Sequence, residues 1–67
     1  MKFDRQEYRE KVFALRNLEP LSWDDICTGM DISMFTLRKF LKTEDVLRHL
    51  VIMKIKCWID NKLQGKN

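Results

Sequence analysis

Arg38, Lys39 and Lys42 stand in a segment, residues 33–42, that holds three basic residues and no acidic one. On a helix, neighbours differ by about 100° and positions four apart share a face, so the three cations can occupy one broad exposed surface. Ammonium groups meet phosphate oxygens as point charges, and a guanidinium can also fork onto the edge of a guanine. Directly upstream, residues 19–31 carry Glu19, Asp24, Asp25 and Asp31 and no basic residue. A basic segment beside an acidic one is a polarised surface rather than a general polyanion-binding coat. The carboxylates form no catalytic pair, because Asp24 and Asp25 would point about 100° apart on a helix, and no nucleophile, histidine base or glycine-rich phosphate loop accompanies them. A non-enzymatic role is expected.

Cys27, Cys57 and His49 are the remaining residues with metal-ligand chemistry. One histidine and no closely spaced chelating pair do not make a zinc site, so no metal and no other cofactor is expected. Cys27 reads as a small core residue, Cys57 as an ordinary apolar position and His49 as an exposed one. Trp23 follows a helix cap and is expected to cover the edge of the core, and Trp58 to join a core or dimer seam.

These residues must be positioned by helices. Apolar residues make up 45% of the chain, and one proline and two glycines interrupt it, which argues against disorder and against a turn-rich β fold. With 67 residues there is room for one domain, residues 1–67, and one core. MKFDRQEYREK is charged where a secretion signal needs an apolar run, no segment is apolar for long enough to span a bilayer, and the cysteine usage suits a reducing compartment. A soluble, cytoplasmic protein without membrane contact is the expectation.

Tyr8, Val12 and Leu15 recur at helical spacing, predicting a helix over about residues 3–17 that ends before Pro20. Ser22 with Asp25 is a capping box opening a helix over 23–30, Ser33 caps a second over 34–42, and Thr43, followed by Glu44 and Asp45, predicts a third start and a helix over 44–63. The expected fold is all-α: a small four-helix domain whose C-terminal helix is long and apolar almost all round. Such a helix must be covered almost all round. A second copy of the chain is the expected cover, with Leu47, Val51, Ile55, Trp58 and Ile59 in the dimer interface.

Residues 23–42 resemble the helix-turn-helix of bacteriophage repressors of the Cro type. Ile26 and Cys27 stand where that family has a buried aliphatic and a small residue. Ile32, Ser33, Leu37 and Phe40 match its aliphatic after the turn, its polar cap and its two buried residues on the second helix, and Asp31 takes the turn position usually held by glycine. The resemblance implies a small DNA-binding transcriptional regulator of phage or mobile-element origin, acting in a bacterial or phage-infected cell. It implies that 34–42 is a recognition helix in the major groove of double-stranded DNA. Arg38 would read a guanine, Lys39 and Lys42 would meet phosphates, Phe35 would lie on a thymine methyl beside Met34, and Ser33 or Thr36 would bond a phosphate. The alternative is a protein-interaction module, an antirepressor or host-factor inhibitor, that docks another regulatory protein through Met34 and Phe35.

Overall fold

Asp4 accepts a hydrogen bond from the Glu7 N–H at 3.1 Å and opens the first helix, α1 (Arg5–Leu18). Tyr8, Val12 and Leu15 form its buried stripe, and it stops two residues before Pro20. A computed structural model describes residues 3–65, and in them three further helices follow: α2 (Trp23–Met30), α3 (Met34–Lys42) and α4 (His49–Leu63). No strand occurs among the described residues.

The Ser22 capping box forms as expected: Ser22 Oγ accepts from Asp25 N at 3.1 Å, and Asp25 Oδ2 accepts from Ser22 N at 3.2 Å. α2 ends where Asp31 turns left-handed, at φ 61° and ψ 47°. The Asp31 and Ile32 N–H groups then close on the carbonyls of Thr28 and Cys27 at 3.2 and 3.1 Å, the paired bonds of a Schellman ending. An aspartate therefore does at this corner what a glycine usually does. Ser33 accepts from Thr36 N at 3.1 Å and starts α3.

α4 differs from its expectation. Residues 44–48 are not helical, and the helix begins only at His49, with no side chain capping it. Thr43 belongs to the end of α3 instead: its hydroxyl donates to the Lys39 carbonyl at 2.9 Å and accepts from Asp45 N at 3.1 Å. Two arginines of α1 hold the same stretch. Arg9 donates to the Thr43 carbonyl and pairs with Glu44 at 2.8 Å, and Arg5 donates to the Asp45 carbonyl. Carbonyls engaged in this way are withdrawn from a helical ladder, and the extended segment delivers Leu47 to the core.

The expected long apolar helix is thus 15 residues, and one side of it is covered within the chain while Leu50, Met53 and Leu63 stay exposed. α4 packs on both α1 and α2. Ile55 and Ile59 are fully buried and Leu47 is 8% exposed, while Val51, Ile52 and Trp58 pack against the same core. Of the residues expected in a dimer seam, Leu47, Ile55 and Ile59 are instead buried in the protomer's own core, and Val51 and Trp58 are half-buried against it. Gly29 shows how closely α2 and α4 approach, since a β-carbon there would sit 2.3 Å from Nε1 of Trp58. No described helix is long and apolar enough to cross a membrane.

Candidate nucleic-acid interface

α3 presents its outer face because its inner face is fixed twice over. Leu37 and Phe40 are buried, and two carbonyls of its last turn are gathered by α1. Arg5 donates to the carbonyls of Lys39 and Phe40 at 2.8 and 3.3 Å, and Arg9 donates to that of Phe40 at 2.7 Å. The last carbonyls of a helix lack partners and carry its negative partial charge, which two guanidinium forks satisfy together. At the other end, Cys27 is buried and its Sγ lies 3.8 Å from Sδ of Met34. The small residue expected at the crossing of α2 and α3 sits where the two helices meet.

The outward residues are Phe35, 73% exposed, with Arg38 and Lys42, both exposed. Lys39 and Thr36 are half-buried. Met34, expected on the presented face, is half-buried beside Cys27. Ser33 is exposed, but its hydroxyl donates to Thr36 Oγ1 at 2.9 Å while capping the helix, so of the pair Thr36 keeps the donor free for a phosphate.

Charge is distributed unevenly among the described residues. Arg9, Lys11, Lys54, Lys56 and Lys62 each pair with a carboxylate, and Arg5 is committed to carbonyls. Arg16, Arg38, Lys39, Lys42 and Arg48 have no such partner within 4.0 Å. Three of these five are on α3, on or beside its outward face. Asp24 and Asp25 at the start of α2 are exposed, and two carboxylates at a helix N-terminus turn a phosphate away from that end.

Two hollows flank Arg38 and Lys42. One, of about 300 Å³, has Phe35, Lys39, Thr43 and Asp45 on its sides. The other, of about 480 Å³, opens between α1 and α3 and brings in Phe13, Arg16 and Trp23. Trp23, half-buried as expected, meets the Phe13 ring edge-on at 5.6 Å, and the Arg16 guanidinium lies 4.6 Å from the centre of the Trp23 ring. Neither this wall nor the Arg5 and Arg9 clasp was expected from sequence. The available signal was the spacing of four between the two arginines, which places them on one face of α1.

Burial raises the pKa of the Cys27 thiol, and the Asp24 charge adds to this. It stays protonated near neutral pH, as befits a packing residue. Both cysteines are free, and no group of three or more metal-ligating side chains occurs among the described residues. Comparison with family models, curated proteins and solved structures found no match.

Proposed function

We propose that this chain is a small DNA-binding regulator that places α3 in the major groove of double-stranded DNA. The observation that carries the reading is the gathering of unpaired cations on α3, in a molecule whose other described cations are mostly neutralised. Arg38 reaches a guanine edge, Lys42 and Lys39 contact phosphates, and Phe35 covers a thymine methyl. The corner before α3, with Asp31 left-handed and Cys27 at the crossing, supports a helix-turn-helix geometry of the repressor kind. One protomer occupies one half-site.

The test is fluorescence anisotropy of a labelled duplex pool across a salt series. Non-specific binding is expected in the range of roughly 1–100 μM, with log K falling by about 0.9 per phosphate contact for each unit of log salt. Arg38→Ala with Lys39→Ala should remove most of it. Absence of binding at the lowest salt would overturn the reading and turn attention to Phe35 as a protein contact.

A further inference from the structure

The hollow between α1 and α3 differs in character from the face proposed for DNA. Its floor and walls are apolar, formed by Leu37, Leu41, Met34, Phe13 and Trp23. Phe13 stays 47% exposed, with only the edge-on Trp23 ring as an aromatic partner. Arg16 stands on one rim and Arg38 and Lys42 on the other, and no carboxylate lines the hollow. Duplex phosphates and base edges could engage the cationic rims but would leave the apolar floor without a matching partner. A bulky side chain flanked by carboxylates matches floor and rims alike, and helices laid into grooves bind other proteins in this manner.

We propose that this groove receives an acidic amphipathic helix of a partner protein. A leucine or aromatic anchor enters between Phe13, Trp23 and Leu41, and aspartates or glutamates of the same segment pair with Arg16, Arg38 and Lys42. Charge complementarity selects the partner, since its apolar anchor alone would not distinguish it from other helices. Arg38 and Lys42 line both hollows. On the DNA reading above, the partner and DNA therefore exclude each other.

The experiment is selection from a displayed library of randomised helical peptides on the intact chain. The best peptide is then titrated into isotopically labelled protein and followed by NMR. Enriched sequences should combine acidic residues with a large apolar residue recurring every three or four positions, and the Phe13, Trp23 and Leu41 side-chain signals should shift. Arg16→Glu, which changes an exposed residue, and Phe13→Ala should each weaken the peptide on the order of tenfold or more, while Arg48→Ala leaves it unchanged. Circular dichroism checks that each variant is folded. Failure to enrich any peptide, enrichment of neutral or basic ones, or unchanged affinity in Arg16→Glu would overturn the proposal. Shifts of Phe13 and Trp23 produced by duplex DNA and not by peptide would assign the groove to DNA instead. Peptide binding without duplex binding would uphold this proposal while removing the DNA reading.

Discussion

The two ends of α3 are secured by different physics. Its N-terminal end is held by residues adjacent in the chain: the left-handed Asp31, the Ser33 cap and the contact of Cys27 with Met34 seven positions on. Its C-terminal end is held by Arg5 and Arg9, which arrive from α1 and bind the carbonyls of Lys39, Phe40, Thr43 and Asp45. The first end can form once its own segment is in place. The second exists only after α1 has docked, so the outward face of α3 is oriented by a tertiary event.

Phe40 lies at the C-terminal end, where its carbonyl takes both arginines, and loss of its fully buried ring should be the largest effect. Phe40→Ala is expected to cost about 3–5 kcal/mol in urea unfolding, most of the stability of so small a domain. Arg9→Ala breaks only the distal end. It should cost about 2–3 kcal/mol, since charged donors to half-buried carbonyls are lost, and Arg9→Lys should recover little because an ammonium lacks the fork. If Arg9→Lys matches wild type, the clasp is not what orders residues 43–48.

Ser33→Ala tests the local end and should cost about 1 kcal/mol, read as a shift in the urea midpoint. Asp31→Ala should cost about 1 kcal/mol through its left-handed backbone, whereas Asp31→Gly should not. An equal loss in both variants would show that the Lys54 pair at 3.1 Å, rather than backbone conformation, is what Asp31 contributes.

The smallest effect concerns the base on which the clasp stands. Tyr8 of α1 donates to Asp60 of α4 at 2.9 Å, and Lys56 donates to the same carboxylate at 2.7 Å. The hydrogen bond from Lys56 is the main cause holding the Asp60 carboxyl below its usual pKa, with the Tyr8 bond acting in the same direction against partial desolvation. A depressed carboxylate stabilises the fold above its unfolded pKa, and this contribution fades as pH falls below about 4. The stability difference between wild type and Asp60→Asn should therefore be present at neutral pH and shrink under acid. Parallel pH profiles for the two proteins would remove Asp60 as the cause.

The same contrast explains what could be read from the sequence. Ser22 and Ser33 declared their caps because the partner of each lies three residues on. Thr43 carries an equally good local signature, with Glu44 and Asp45 behind it, yet its hydroxyl points back to Lys39 because distant arginines had claimed the following carbonyls. Ile55 and Ile59 were legible as residues needing cover, but periodicity says only that a face must be buried and not by what. On the candidate site, the exposure of Phe35, Arg38 and Lys42 followed from helical spacing, and Met34 departed from it by leaning on Cys27. Arg16 and Phe13 were silent because the groove they line exists only where α1 and α3 meet.

Arg5 and Arg9 grip α3 through carbonyl oxygens, groups that every amino acid supplies identically. The clasp is therefore blind to which side chains α3 displays. Phe35, Arg38 and Lys42 can mutate without loosening the two arginines, and the buried positions Leu37 and Phe40 can stay fixed while the display drifts. Such a separation makes the exposed face of α3 an evolvable surface: a lineage, or a library built on this scaffold, can change what the helix recognises while inheriting the same fold.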